Sequence, residues 1–120
     1  MATVLLIDDS PIQLRAREAV LRSAGFKTQL ATTAETALEL MRTPSIAAQL
    51  GAIITDHVLD NEESGVYFVR ELRRLNADIP VIVVTGSADA ESDYDGLNVL
   101  FRQKPCPPEE LIALVRSAIG

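Results

Sequence analysis

Aspartates dominate the residues able to do chemistry here, and they stand where apolar runs stop. In GAIITDHVLD, residues 51–60, the run Ala52, Ile53, Ile54 gives way to Asp56, while Val4 to Ile7 ends in Asp8 and Asp9. Val81 to Thr85 ends in a hydroxyl, and Val99 to Gln103 is followed by Lys104. One acid after a strand is weak evidence, because turns and helix caps favour Asp for their own reasons. Three carboxylates, a hydroxyl and an ammonium at four strand ends are not explained that way. Carboxylates crowded on one spot must take up protons or hold a cation. A hard divalent cation such as Mg²⁺ is held by one or two carboxylates, waters and a phosphoryl oxygen. A hydroxyl and an ammonium beside it suit the equatorial oxygens of a transferring phosphoryl group.

The elements that must position these groups follow from the pattern. Thr3 to Ile7, Ala52 to Thr55 and Val81 to Thr85 are apolar without alternation, as strands covered on both faces are. Phe26 to Ala31 and Val99 to Gln103 mix polar and apolar residues and read as edges. Between them lie four helices. The first opens at Ser10 and Pro11 with an inward stripe of Ile12, Ala16, Ala19, Val20 and Ala24, and stops at Gly25. The second is capped by Thr33, turns Ala34, Ala37, Leu38 and Met41 inward, and ends at Thr43 and Pro44 before a connector from Ser45 to Gly51. The third carries Val66, Val69, Leu72 and Leu75 and closes at Asn76 and Asp78. The last starts at Pro107 and Pro108 and faces Leu111, Leu114, Val115 and Ala118 inward. Strands alternating with helices imply right-handed crossovers and a parallel sheet with helices on both faces. Placing the apolar strands centrally predicts the flavodoxin-like order 2-1-3-4-5, an α/β fold whose switch point lies between the first and third strands, beside the acids.

Bulk composition narrows the function classes. A chain of 120 residues with 48% apolar content is one domain, 1–120, able to bury its own core. The formal charge of -6, from 11 basic and 17 acidic residues, argues against a nucleic-acid surface. Arg15, Arg17, Arg22, Arg70, Arg73 and Arg74 read as solvated helix faces. A single cysteine, Cys106, fits a reducing compartment. With no run long enough to span a membrane and no leader before the first strand, a cytoplasmic protein is expected.

Taken in order, IDDS at 7–10, Asp56, VVTG at 83–86 and FRQKP at 101–105 resemble the receiver domains of two-component response regulators, and the resemblance covers essentially the whole chain. It implies that Asp56 accepts a phosphoryl group from the phosphohistidine of a sensor histidine kinase or histidine phosphotransfer protein. Asp9 and Asp56 would ligate Mg²⁺ directly, Asp8 mainly through water, and the backbone carbonyl of Val58 would complete the protein's share. Thr85 would bond a phosphoryl oxygen and Lys104 would pair with the phosphate. Phe101 matches an aromatic that moves inward when the threonine engages the phosphate, and Lys104-Pro105 is similar to a bond that is cis in the family. Gly86 leaves access for a donor or phosphatase, while Val58 and Ser87 resemble positions that tune phosphate lifetime. Such a domain is no conventional enzyme, since it catalyses only its own loading and unloading, and its output is a change in which proteins it binds. With nothing after Gly120, it is expected to be a stand-alone regulator or a piece of a longer one.

Departures from the family pattern also stand in the sequence. Asp60 replaces a common Pro, Gly65 lies nine residues after the acceptor where eight is common, and Asp60, Glu62 and Glu63 make that loop acidic. Between Thr85 and Lys104 about three residues are missing. Four acids within seven residues, Asp89, Glu91, Asp93 and Asp95, and only Tyr94 and Leu97 as large anchors predict a short or irregular helix over Ser87 to Asn98, mobile before loading. His57 reads as a partly exposed neighbour of the acceptor, and nothing near Cys106 marks a depressed thiol pKa. Rival classes fare worse. A nucleotide-binding domain wants a glycine-rich loop after its first strand, where IDDSP supplies none. A hydrolase with an aspartyl nucleophile would normally place it after the first strand. A receiver-like interaction module independent of phosphate should have lost an acid or the lysine, and all are present.

Overall fold

The computed structural model describes residues 2–59, 64–75 and 78–120. Asp60, Asn61, Glu62, Glu63 and Asn76, to which the sequence assigns an acidic loop and a helix end, lie outside the described residues. The elements run β1 Thr3–Ile7, α1 Pro11–Ser23, β2 Lys27–Ala31, α2 Ala34–Arg42, α3 Pro44–Ala47, β3 Leu50–Thr55, α4 Ser64–Arg74, β4 Val81–Thr85, a 3-10 helix Ala88–Tyr94, β5 Leu100–Gln103 and α5 Pro108–Ile119. The sheet is parallel in the order β2-β1-β3-β4-β5, as the apolar patterning predicts.

Strand alternation divides the core into two layers. Leu5, Ile7, Ile53, Val81 and Val83 face Ala37 and Leu38 of α2 and Val66, Phe68, Val69 and Leu72 of α4. Val4, Leu6, Ile54, Ile82 and Val84 face Leu14 and Leu21 of α1 and Leu111 and Val115 of α5. Each fully buried Val, Leu or Ile contributes about 1.5–3 kcal/mol against leaving it in water. The three central strands are therefore the rigid base on which the polar rim stands.

Local signals in the sequence account for most element ends. Ser10 caps α1 by accepting from the Gln13 N–H, and Thr33 caps α2 by accepting from the Thr36 N–H. Four expectations are corrected. The inward face of α1 is Leu14 and Leu21, with Arg17 and Glu18 half-buried between them, whereas Ile12, Ala16 and Ala19 face solvent and Ile12 is 82% exposed. Polar residues take part in that face because Arg17 bonds Asp8 and Glu18 accepts from the Thr28 hydroxyl at 3.1 Å. The connector after α2 contains the single turn α3, started by Pro44 at its first position, and Leu50 and Gly51 already belong to β3. Leu75 falls past the end of α4 and is 41% exposed. Arg73, finally, is no solvated charge. Its Nε, Nη1 and Nη2 donate to the carbonyls of Leu97, Ile79 and Asn98 at 2.9, 2.8 and 2.9 Å, clamping the end of α4 to the chain entering β4 and β5. Burial lowers its pKa from the usual guanidinium value, with the Asp78 carboxylate opposing.

The segment after β4 is short and irregular, as its composition predicts. It is a 3-10 helix, 7 residues long, preceded by Ser87 without a side-chain cap bond, and it ends near Gly96 at φ 80°. Tyr94 and Ala90 are its buried residues, and Leu97 packs beside the core. Tighter i to i+3 bonding with poorer geometry is what a chain too short for regular turns adopts.

Candidate functional site

Parallel register sets the rim. Ile7 pairs with Thr55, so Asp8 and Asp56 each stand one residue past the last paired position of neighbouring strands. Backbone bonds continue that alignment, with Asp8 N–H donating to the Ala31 carbonyl at 3.2 Å and Asp56 N–H to the Ile7 carbonyl at 3.3 Å. On the other side Thr85 pairs with Gln103, and Lys104 N–H donates to the Thr85 carbonyl at 2.7 Å. The four strand ends thus lie on one edge of the sheet, as expected.

Asp56 is 8% exposed and both its oxygens are engaged. Oδ1 accepts from the N–H of His57 at 2.7 Å and more weakly from that of Val58 at 3.4 Å, while Oδ2 accepts from Lys104 Nζ at 2.8 Å. Lys104 Nζ also lies 3.4 Å from Gln13 Oε1. Asp8 is 2% exposed; its Oδ1 accepts from the Ser10 N–H at 2.9 Å and its Oδ2 from Arg17 Nη1 at 3.2 Å. Burial raises the Asp8 carboxyl above the ordinary carboxylate range, and the neighbouring Asp56 charge pushes the same way. The Ser10 amide, Arg17 and Lys104 oppose. Asp9 is half-buried. Thr85 is 2% exposed, and its Oγ1 accepts from the Ser87 N–H at 3.3 Å, which leaves its own proton to donate. Gly86 and Ser87 are exposed, and a Cβ on Gly86 would meet nothing within 4 Å, so the mouth of the site is open there. Phe101 is half-buried against Tyr94, at 6.2 Å between ring centroids. The Lys104-Pro105 bond is cis.

Among the described residues no group of three His, Cys, Asp or Glu side chains is arranged to hold a metal ion. Two of the acids already carry a cation, with Lys104 on one oxygen of Asp56 and Arg17 on one oxygen of Asp8. The donor set itself is all oxygen, from carboxylates and a carbonyl, which is the chemistry that a hard divalent cation takes. Asp8, Asp9, Asp56 and Val58 therefore fit Mg²⁺ in kind.

Three groups at the site go beyond the sequence reading. Arg17 lies three residues from Leu14 and four from Leu21, so its place on the buried face of α1 was available from spacing, although its partner was not. His57 is 3% exposed rather than partly exposed, and its Nδ1 is 2.9 Å from the Tyr94 hydroxyl. Gly65, nine residues after Asp56, stands at a close approach: a Cβ there would lie 2.5 Å from the Asp56 carbonyl oxygen and 2.9 Å from His57 Cα, so only glycine lets α4 begin this close. Cys106 carries no sign of reactivity, because burial, helped by Glu110, raises its thiol pKa.

Comparison with known proteins agrees with this architecture. A family model described as response regulator receiver domain matches residues 4–116. The C4-dicarboxylate transport transcriptional regulatory protein DctD of Pseudomonas aeruginosa is 33% identical over 119 residues, covering 97% of this chain and 25% of that protein. The two-component response regulator ARR22 of Arabidopsis thaliana is 29% identical over 120 residues, covering 96% of this chain and 82% of that protein. The chain spans from a quarter to about half the length of the first curated relatives it matches, DctD at 25% and TodT of Pseudomonas putida at 51%. Among solved structures, the Vibrio cholerae chemotaxis protein CheY4 superposes with a TM-score of 0.85 at 24% identity over 98% of each chain. A CheY-like receiver domain protein from Methanospirillum hungatei gives 0.88 at 20% identity over 99% of this chain and 94% of that one. At such identities the likeness is one of fold.

Proposed function

Because this chain belongs to the response regulator receiver domain family, we propose that it is a phosphorylation-dependent switch loaded on Asp56 by the phosphohistidine of a sensor histidine kinase or histidine phosphotransfer protein. The observation that carries this reading is Lys104 Nζ, 2.8 Å from Asp56 Oδ2 on a rim shared with Asp8 and Thr85. Oδ2 attacks phosphorus; a P–O bond forms, the P–N bond of the donor breaks, and its electron pair returns to the imidazole nitrogen. Lys104 meets the phosphoryl charge where it arrives, and the Thr85 hydroxyl donates to a phosphoryl oxygen. The amides of His57 and Val58 keep Oδ1 turned inward, which leaves Oδ2 as the nucleophile. Asp8, Asp9, Asp56 and the Val58 carbonyl would hold Mg²⁺, which when bound neutralises charge on the incoming phosphoryl oxygens.

Loading adds roughly -1.5 to -2 charges to the rim, and the altered surface is read by a downstream protein partner. No helix among the described residues is long and apolar enough to cross a membrane. Intact mass after incubation with acetyl phosphate and Mg²⁺ tests the proposal. One phosphate is expected on the native chain and none on Asp56→Asn. An adduct that survives Asp56→Asn removes Asp56 from the role, and native protein that takes up no phosphate from either acetyl phosphate or a phosphohistidine donor favours a phosphate-independent interaction module.

A further inference from the structure

His57 is held at three points around the acceptor. Its N–H donates to Asp56 Oδ1 at 2.7 Å, its carbonyl accepts from the Gly65 N–H at 3.0 Å, and its Nδ1 lies 2.9 Å from the Tyr94 hydroxyl. The second ring nitrogen faces Asp93 Oδ2 at 4.0 Å. Tyr94 is the last residue of the 3-10 helix and is 3% exposed; its ring meets that of His57 edge-on, with centroids 5.6 Å apart, and leans on Phe101. One residue therefore joins the acceptor carboxylate to the 3-10 helix through two hydrogen bonds in series, both buried.

We propose that His57 is a positioning residue that passes the loading state of Asp56 to the 3-10 helix through the Tyr94 hydroxyl. This inference rests on Asp56 being the phosphoacceptor. Converting the carboxylate to an acyl phosphate turns Oδ1 from a charged acceptor into a neutral carbonyl. The His57 N–H bond to it then loses its charge assistance, which is roughly half of its strength. That difference between the two states is what a switch requires. Buried polar groups stay paired, so a shift of the His57 backbone carries its ring, and Tyr94 moves with the ring because parting them would leave both unsatisfied. The route enters the 3-10 helix at its last residue. Thr85, by contrast, acts at the start of the segment, through the Ser87 amide that its oxygen receives.

Amide exchange over residues 88–94, measured with and without acetyl phosphate and Mg²⁺ and paired with intact mass, tests this. Tyr94→Phe deletes only the hydroxyl, His57→Leu deletes the ring nitrogens, and His57→Gln restores a group able to pair with Tyr94. Loading of the native chain is expected to change exchange in this stretch about threefold or more, the scale of one weakened hydrogen bond. Tyr94→Phe should still take up phosphate but lose that response; His57→Leu should lose it too, read on its loaded fraction, and His57→Gln should recover part of it. A variant that raises exchange equally in both states, with the native ratio between them kept, would show a merely structural role and overturn the inference. So would a loaded native chain without any change over 88–94. Absence of phosphate on the native chain would instead strike the acceptor assignment. Circular dichroism checks each fold, and Tyr94→Phe, which keeps the ring, decides the matter should His57→Leu unfold.

Discussion

Lys104 Nζ stands 2.8 Å from Asp56 Oδ2, the two side chains being 28% and 12% exposed. A charge-assisted bond in so sheltered a place is worth about 1.5–3 kcal/mol. On the proposed loading of Asp56 the ammonium meets the incoming phosphoryl charge, so Lys104→Ala should slow phosphate uptake from acetyl phosphate on the order of 10- to 100-fold. Initial rates by intact mass measure this. An unchanged rate would mean that Lys104 only neutralises the resting carboxylate.

Gly65→Ala should destabilise the protein by about 1–3 kcal/mol, because the added carbon meets backbone, which cannot swing aside as a side chain end can. The Asp56 carbonyl oxygen and His57 Cα would lie 2.5 and 2.9 Å away. Gly86→Ala is the control: open space surrounds its Cβ position, and its stability should match the native chain within about 0.5 kcal/mol. Urea midpoints of both variants check the pair, and equal midpoints would show that α4 does not need its close approach to Asp56.

What the chain disclosed before folding, and what it withheld, divides along physical lines. Strands such as VIVVT at 81–85 are legible because a parallel strand covered on both faces has no reason to carry polar residues until it reaches the rim. Asp8, Asp56, Thr85 and Lys104 were visible as interruptions of that rule. The face of α1 was misread because its buried positions include Arg17 and Glu18, whose ends reach polar partners on other elements, and hydropathy alone assigns such residues to water. His57 was misplaced for the same reason. Its burial depends on the Tyr94 hydroxyl, 37 residues away, and no local pattern encodes that pairing. The close approach at Gly65 was likewise hidden, since a glycine alone does not say what passes beside it.

Asp8 should make metal-free stability depend on pH in a definite direction. Its carboxyl is raised in the folded state, chiefly by burial, so the folded chain keeps a proton that the unfolded chain has released. That contribution is fully present below the unfolded pKa and is lost as pH rises through the folded one. Asp8→Asn keeps the shape and cannot ionise. In EDTA, the stability of Asp8→Asn relative to the native chain should therefore improve as pH rises above about 4, the ordinary aspartate value. Urea midpoints across that range test it, and a difference that is flat or worsens with pH would show that the Arg17 and Ser10 bonds outweigh burial.

The 3-10 helix should exchange its amides faster than α4 in the unloaded protein. The bonds at its two ends are long: Ala90 N–H reaches the Ser87 carbonyl at 3.2 Å and Asp95 N–H the Ser92 carbonyl at 3.2 Å. Ala90 and Tyr94 are buried, whereas Ala88, Asp89, Glu91, Ser92 and Asp93 face solvent, so little apolar burial opposes chain entropy between the anchors. At the far end the chain is fixed again, because Arg73 grips the carbonyls of Leu97 and Asn98. Fast exchange should thus be bounded, running from about residue 88 to 95 and stopping before β5, while Val69 and Leu72 in α4 stay protected. Arg73→Ala should let it spread past Asn98 into β5, and Arg73→Lys should not restore the boundary, since an ammonium cannot present the planar fork that meets three carbonyls. Protection over 88–95 equal to that of α4 would contradict the ranking. A boundary unmoved in Arg73→Ala would show that the pairing of β4 with β5 holds the end of the segment without the clamp.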